Sequence, residues 1–277
     1  MKLVVEKIGL QKTKKSFHFF KLEVDYFKPF WHYHPELELT LIIKGSGTRF
    51  VGNSILPFAE KDLVLLGANL PHNYTSLIHS EENKHEAIVL QFPSDIFNTF
   101  SECEMLHTLY KEADKGIQFI KPDEKIFQLL RDFETLPKAE QLASLLQIVH
   151  RLYQDNHRKY LSSSTFHHQI TTAKSQGKIK TITTFILENL DKKLTVKEMA
   201  NKTNMVEQSF CRWFKNAVGH SFITFLNLSR IEKACMYLST TDKQIQAIAF
   251  DCGFESLSHF NRTFKKLKGK SPRDFRT

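Results

Sequence analysis

Residues 245–276 read IQAIAFDCGFESLSHFNRTFKKLKGKSPRDFR and contain the pattern F-x-R-x-F-K-x-x-x-G, which runs from Phe260 to Gly269. The same pattern runs from Phe210 to Gly219, with every defined position 50 residues earlier. The last hundred residues therefore contain a duplicated unit.

Each copy has the order of a helix-turn-helix. A short helical segment ends near Ala200 or Ala249, a tight turn follows at 204–205 or 253–254, and the repeated pattern forms a second helix. The two Phe residues of a pattern are four apart, which predicts that they face the core. The Arg between them faces outward, where its fork matches guanine O6 and N7. Two helices able to enter a major groove are predicted.

One continuous helix is predicted between the copies, from about Ser221 to Ser239. About 19 residues at roughly 1.5 Å each give a rod of about 28 Å, near the roughly 34 Å of one DNA turn. Its apolar residues are predicted to dock onto both units: Phe222, Phe225, Leu226, Ile231, Ala234 and Leu238. Arg230 and Lys233 are predicted to pair with phosphates or carboxylates, because phosphate contacts are the commoner kind.

The charge is concentrated in the same region. The whole chain has 39 basic and 30 acidic residues, a formal net charge of +9. Residues 1–177 hold 21 of each sign, which leaves 18 basic and 9 acidic residues in 178–277. A neutral segment followed by a basic one predicts that the second binds a polyanion such as DNA.

Length and composition indicate a globular protein of two domains, with 277 residues, 41% hydrophobic and 25% charged. No apolar run approaches the roughly 18 residues of a membrane span, and the first residues lack a secretory signal, so cytoplasmic residence is expected. The cysteines form no C-x-x-C and favour reduced thiols over a disulfide frame or a zinc finger; they are Cys103, Cys211, Cys235 and Cys252.

The first half changes its apolar period near residue 93. Residues 16–92 hold short runs of β-branched, Leu and Phe residues between Gly and Pro, which predicts a small antiparallel barrel or sandwich. Helical spacing follows in 101–154, as a connector and candidate dimerisation segment. Its last helix has an apolar stripe that either packs against the barrel or forms a dimer seam: Leu142, Leu145, Leu146, Val149 and Leu152. Polar residues 155–177 are predicted to be the interdomain linker.

Residues 178–276 resemble the DNA-binding domain of the AraC/XylS family of bacterial transcription regulators. The resemblance rests on G-F-x-S-x-S-x-F-x-R-x-F-K from Gly253 to Lys265, with Gly269, Ser271–Pro272 and Phe275–Arg276 after it. It implies double-stranded promoter or operator DNA as a partner. A homodimer and contact with RNA polymerase are also expected.

The resemblance also implies that the first turns of both second helices contact bases. By position these residues are Gln208, Cys211 and Arg212 in the first helix, and Leu257, Ser258, His259 and Arg262 in the second. Lys215 and Lys265 are predicted to contact phosphates. Glu207 replaces the usual Ser at the start of the first helix, and Cys211 often is a longer polar residue, so modest readout by the first helix is expected.

The segment HYHPELELTLIIKG resembles the first motif of the cupin superfamily, with His32, His34, Glu38 and Gly45 spaced H-x-H-x₃-E-x₆-G. The second motif is partial: Asp62 and His72 are in place, but Lys61 replaces its Gly. The implied fold class is α+β and multidomain, with a cupin-like antiparallel β-barrel at 1–100, following helices, and an all-α double helix-turn-helix domain at 178–277.

Three interpretations of this polar group stay open. His32, His34, Glu38 and His72 suit Zn, Fe, Ni or Mn. The same residues could instead hydrogen-bond an organic effector, sugar-like or another metabolite, with no metal. They could also form a buried network without a ligand. Trp31, Tyr33 and Arg49 flank the motif and are candidate pocket residues, with Trp31 and Arg49 in the predicted effector set.

The function predicted from these features is an effector-responsive, sequence-specific transcription regulator without catalysis. A metal-dependent cupin enzyme fused to a DNA-binding domain is the alternative, and the incomplete second motif argues against it. A constitutive architectural protein is a third interpretation, which predicts a solid barrel core.

Overall fold

A computed structural model of the protein describes residues 15–76, 84–163 and 173–276. The strands in these ranges are β1 (His18–Val24), β2 (Leu37–Lys44), β3 (Gly47–Val51), β4 (Ser54–Phe58), β5 (Leu63–Leu66), β6 (His72–Thr75), β7 (His85–Phe92), β8 (Ile117–Phe119) and β9 (Arg158–Tyr160). The α-helices are α1 (Leu106–Ala113), α2 (Glu124–Asp132), α3 (Lys138–Gln154), α4 (Ala173–Glu188), α5 (Val196–Lys202), α6 (Glu207–Val218), α7 (Phe222–Thr240), α8 (Ile245–Asp251), α9 (Leu257–Lys268) and α10 (Pro272–Arg276).

The strands form two antiparallel sheets, one of order β1-β7-β2-β5-β8-β9 and one of order β4-β3-β6. The prediction of an N-terminal antiparallel β region followed by an all-helical region is confirmed. We call residues 15–163 the β domain and residues 173–276 the helical domain.

The central strands of the larger sheet bury different residues on their two faces, because side chains alternate along a strand. On one face, Leu39 of β2 and Leu90 of β7 join a core that includes residues of α1, α2 and α3. On the other, Glu38 pairs with Gln91 and Ile42 with Ala87 across the same two strands. The helices cover only the first face, which leaves the second for a cavity.

The apolar stripe of α3 packs within the β domain. Leu145, Val149 and Leu152 are fully buried in its core, and Leu146 packs against that core. Leu142 alone stays 39% exposed. Of the two roles left open for the stripe, the structure shows packing against the sheet, so these buried side chains do not form a dimer seam.

The predicted linker is shorter than its sequence suggests. Arg158–Tyr160 forms β9, which pairs with β8 at the edge of the larger sheet. The helix α4 already begins at Ala173. Polar composition did not reveal the strand because β9 is an edge strand of three residues, half-buried or exposed. Part of the predicted segment, residues 164–172, lies outside the described residues.

The helical domain contains the two predicted helix-turn-helix units, α5–α6 and α8–α9, joined by α7. Both second helices end at a glycine in the left-handed region, Gly219 with φ 81° and Gly269 with φ 76°. This conformation is nearly free of strain only for glycine, which explains its place in the repeat. The linking helix has 19 residues, as predicted.

The two domains pack together through aromatic side chains. Trp31 is 1% exposed, and its ring centroid lies 6.2 Å from that of Phe50 on β3 and 6.1 Å from that of Phe225 on α7. His220 Nε2 donates to Asn53 O at 2.6 Å. One hydrophobic core therefore spans the boundary between the β domain and the first helix-turn-helix unit.

Arg230 differs from its prediction as a phosphate or carboxylate partner. Its side chain is buried and donates to Leu190 O at 2.8 Å and to Lys192 O at 2.6 Å. These carbonyls belong to the loop after α4, so Arg230 holds that loop against α7. The nearby Lys233 Nζ lies 3.4 Å from Asp251 O.

Among the described helices, none is both long enough and apolar enough to cross a membrane.

Candidate nucleic-acid interface and ligand cavity

The two second helices each bury one face and expose the other. Phe210 and Phe214 of α6 are completely buried, as are Phe260 and Phe264 of α9. The predicted contact residues on the opposite faces are mostly exposed: Gln208, Cys211, Arg212, Lys215, Ser258, Arg262 and Lys265. The residues predicted to contact DNA thus lie mostly on faces separate from the buried faces of both helices.

Two of the residues predicted to contact bases are partly buried. Leu257 packs against the core of the second unit. His259 is half-buried, and its ring lies edge-on to Phe254 with centroids 5.4 Å apart. The guanidinium groups of Arg212 and Arg262, by contrast, form no hydrogen bond or ion pair with any other part of the chain that the structure describes. Both side chains keep the exposure that their predicted contact with base edges requires.

The second unit begins its recognition helix with a cap that the first lacks. Ser256 Oγ accepts from His259 N at 3.2 Å, whereas Val206, at the equivalent position before α6, makes no such bond and is 71% exposed. A missing N-cap costs about 1 kcal/mol. The start of α9 is therefore held more firmly than the start of α6.

A cavity of about 570 Å³ lies in the β domain. It is bordered by the free face of β1, β7 and β2 and by residues 72–74 of β6. Its volume lies in the range typical of small-molecule sites. The solid core expected of an architectural protein is not what the structure contains.

Three imidazoles and one carboxylate converge at one end of this cavity, where His32, Glu38 and His72 line it and His34 contacts Glu38 without lining it. His34 Nε2 lies 3.0 Å from Glu38 Oε2, and His72 Nε2 lies 3.6 Å from Glu38 Oε1. One potential ligand atom from each of His32, His34, Glu38 and His72 falls within 4.8 Å of the others. The structure therefore brings together the whole predicted metal set.

Backbone carbonyls orient all three rings. Nδ1 donates to Phe30 O from His32, to Glu36 O from His34 and to Leu70 O from His72, at 2.8, 3.1 and 2.8 Å. A carbonyl can only accept, so each Nδ1 carries a proton and each neutral ring has its lone pair on Nε2. This is the arrangement that orients histidines bound to metals.

The acid–base balance of the cluster follows from the same contacts. Burial lowers the pKa of His34, but hydrogen bonds and charges from Glu36 and Glu38 outweigh it and raise that pKa to about 9. Burial raises the pKa of Glu38, but the electrostatic influence of the His72 ring, whose Nε2 lies 3.6 Å away, and the hydrogen bond from His34 bring that pKa well below its ordinary value. Burial and the neighbouring His72 ring lower the pKa of His32 well below 6.5. Without a metal the buried carboxylate is balanced by a proton on His34.

Two residues that the sequence analysis missed support the carboxylate. Thr40 Oγ1 donates to Glu38 Oε1 at 2.7 Å, and Gln91 Nε2 donates to Glu38 Oε2 at 2.8 Å. Thr40 could have been found, because it is two residues from Glu38 on a predicted strand and shares its face. Gln91 had no local signal, since only the pairing of β2 with β7 brings it there.

Two members of the predicted effector set lie elsewhere. Trp31 points away from the cavity into the core shared with the helical domain. Arg49 is 1% exposed and forms a buried ion pair with Asp62, which also accepts from Gln118 Nε2 at 2.7 Å. Neither side chain lines the cavity, and Tyr33, half-buried, does not line it either.

Comparison with known proteins supports the organisation of the chain. The family described as "Helix-turn-helix domain" matches residues 199–277. The transcriptional activator RhaS of Mannheimia succiniciproducens is 24% identical over 254 residues, 88% of each chain. The melibiose operon regulatory protein of Escherichia coli is 24% identical over 262 residues, 90% of this chain and 83% of that protein.

Two solved structures are also similar. The DNA-binding domain of AdpA in complex with a target DNA is 26% identical and covers 36% of this chain and 89% of its own, with a TM-score of 0.35. ToxT of Vibrio cholerae bound to an unsaturated fatty acid is 16% identical and covers 95% of both chains, with a TM-score of 0.39.

Proposed function

Because the chain is a DNA-binding transcription regulator of the AraC/XylS family, we propose that α6 and α9 read one operator while the β domain senses a small molecule. The observation that carries this proposal is the repeated division of α6 and α9 into a buried Phe face and an exposed Arg face. The two helices would lie in successive major grooves on one side of a duplex.

Selection of bound duplexes from a random pool by the full chain tests this function. We expect an enriched site with two conserved segments about one helical turn apart, because α7 holds both reading helices on one rod. A pool that stays random after repeated selection, or a single short segment, would contradict reading by two units.

We expect Lys265→Ala to weaken binding to all DNA sequences alike. Lys215→Ala should act in the same way, because both side chains are exposed one position after the inward Phe and suit phosphate contact. Each change should lower the slope of log affinity against log salt by about 1. Titrations at several salt concentrations measure the slope.

The matched control for this prediction is Lys111→Ala, which removes an exposed lysine from α1 in the β domain. It should leave the slope unchanged. A change in sequence preference in Lys265→Ala, rather than a uniform loss, would contradict the phosphate assignment.

For the cavity, we propose that His32, His34, Glu38 and His72 hold a divalent ion such as Zn, Fe, Ni or Mn. Three Nε2 lone pairs and a carboxylate directed at one another suit such an ion, and the Nδ1 bonds already orient the rings. A bound ion would supply positive charge and an attachment point for an effector oxygen. Binding would displace the proton from His34.

An organic effector bound without metal remains the second candidate, because His72 Nε2 and Gln91 Oε1 are buried without a hydrogen-bond partner and line the cavity.

We expect His72→Ala to reduce metal affinity at least about 100-fold, since even supporting residues outside the ligand set are worth 10- to 100-fold. Elemental analysis of full-length protein purified without an affinity tag should find about one ion per wild-type chain. His107→Ala, which removes an exposed histidine of α1, is the control and should retain the ion. Absence of stoichiometric metal from the wild type would reject the metal and leave the organic effector.

The segment between the cavity and the helical domain supplies a route for regulation. Phe30 and His32 line the cavity, while Trp31 between them packs on Phe225 of α7. Lys180 of α4 also lies over the Phe30 ring, with Nζ 3.6 Å from its centroid. Occupation of the cavity would then favour one docking arrangement of the reading helices over another, as regulation requires.

The β domain acts in this proposal as a binding domain rather than an enzyme, since the relatives that match most of the chain are regulators. We further propose that the protein works in the cytoplasm, where its DNA lies, as a homodimer that contacts RNA polymerase. The α3 stripe is buried, so a dimer would use another surface.

A further inference from the structure

The wall of the cavity changes from polar to apolar along the strands. We call the polar end, where Glu38 pairs with Gln91, the floor of the cavity. Along the same two strands, the next residue pair on this face is Thr40 with Val89, and the one after it is Ile42 with Ala87. Residues two apart share a face, so these pairs stack from the floor towards the mouth.

The neighbouring strand β1 extends the apolar part. Phe20 pairs with Val89 and Leu22 with Ala87, and Val24 lies on the same face. All three line the cavity, together with Phe27 and Phe30 from the loop after β1. Exposed charged residues line the solvent side of the same region: Glu23, Asp25, Lys28 and Lys84. Phe20 and Val24 are four residues apart on β1, which corresponds to a rise of roughly 13 Å. The apolar wall is therefore long enough for an apolar ligand body of about 10 Å above the floor.

Unused hydrogen-bonding capacity is concentrated at the polar end. His72, Asn73 and Gln91 are each 1% exposed and line the cavity. Their atoms His72 Nε2, Asn73 Nδ2 and Gln91 Oε1 are buried without a hydrogen-bond partner. Buried polar atoms are normally paired, so this group indicates a polar ligand atom at the floor.

A sugar fits this distribution poorly. Its hydroxyls surround the ring, and each hydroxyl that is buried needs a hydrogen-bond partner. The side chains of Leu22, Ile42, Ala87 and Val89 offer none.

We propose that the cavity takes a small amphiphile, with one oxygen-bearing polar end against the floor and an apolar body against β1, β7 and β2. This rests on the proposed function of the β domain as a sensor and narrows its effector class. The polar end binds Asn73, Gln91 and the histidine cluster. The apolar body covers Phe20, Leu22 and Val89.

Calorimetry and thermal shift of the full chain with octanoate, 1-octanol and glucose test the class. We expect octanoate or octanol to bind and raise the melting temperature, and glucose to have no effect at the same concentration. The two amphiphiles distinguish a charged from a neutral polar end. Tighter binding of glucose, or no binding of either amphiphile, would overturn the inference.

The variant Leu22→Asp places a charge on the apolar wall at a side chain that is already 36% exposed. It should weaken amphiphile binding on the order of tenfold or more, because the apolar contact of Leu22 is lost and a charge faces the apolar body of the ligand. The control Ile120→Asp charges a 52% exposed side chain outside the cavity and should bind as the wild type does. Equal weakening by both would also overturn the inference.

These results are separable from the proposed function. A chain that selects a DNA site and binds metal, yet ignores both amphiphiles, would refute the ligand class alone. A chain that binds octanoate but selects no DNA site would refute DNA reading alone.

Discussion

Arg262→Ala is expected to abolish most of the discrimination at the operator base pair that Arg262 contacts. The Arg262 side chain is exposed on α9, opposite the buried Phe260 and Phe264, and no other described side chain or carbonyl engages it. A bidentate Arg–guanine pair contributes about 1–3 kcal/mol of discrimination, so the preference for the right base should fall roughly 5- to 150-fold. Competition binding with single-base operator variants measures this ratio.

Two further variants separate recognition from charge. Arg262→Lys keeps the positive charge but lacks the planar fork, so it should bind DNA generally while losing preference at the same base. Arg131→Ala removes an exposed arginine of the β domain and should leave the preference unchanged. Discrimination by Arg262→Ala equal to that of the wild type would reject Arg262 as a base reader.

Arg212→Ala is expected to lose less discrimination between DNA sequences than Arg262→Ala. Its helix, α6, lacks the side-chain cap that Ser256 gives to α9. Its neighbour Cys211 is a weak hydrogen-bond donor with little reach. The two units are therefore expected to contribute unequally to base recognition despite their repeated sequence.

Trp31→Ala is expected to uncouple the cavity from the DNA-reading helices. Trp31 is 1% exposed and contacts both Phe50 and Phe225, so its removal leaves a cavity between the domains and costs about 3–5 kcal/mol of stability. In the wild type, DNA affinity measured with zinc-loaded and metal-stripped protein should differ by a factor typical of allosteric coupling, about 5 to 150. In Trp31→Ala this ratio should fall to about 1.

The control for stability loss is Phe133→Ala. Phe133 is fully buried in the β-domain core, where its ring packs on Phe17 and Phe19. It should lower the unfolding free energy by a similar amount and keep the affinity ratio. A Trp31→Ala ratio that equals that of the wild type would show that regulation bypasses this contact.

Combining Trp31→Ala with Phe225→Ala gives a further check. The two rings pack edge-on with centroids 6.1 Å apart. Stability losses from substitutions of residues in direct contact are not additive. The double variant should therefore lose less stability than the sum of the losses in the two single variants, by about 0.5–3 kcal/mol. Additive losses would mean that the two rings act independently.

Local patterns in the sequence were sufficient to predict α6 and α9 and which of their faces is buried. The Phe residues four apart, the Arg between them and the closing glycine all lie within one helix, so a 3.6-residue period predicts which face is buried. The excess of positive charge in the same hundred residues indicated the partner. His32, His34, Glu38 and His72 were found from their resemblance to the cupin motifs, and the structure brings them together.

Contacts between distant segments were not predictable in the same way. Trp31 and Arg49 were expected in the cavity, and Arg230 on phosphates or carboxylates, because each has suitable chemistry near a recognised motif. Trp31 instead faces α7, Arg49 pairs with Asp62, and Arg230 holds two backbone carbonyls. Strand register and domain docking determine these positions. Both depend on partners far away in sequence, since a shift of one residue reverses every side chain on a strand.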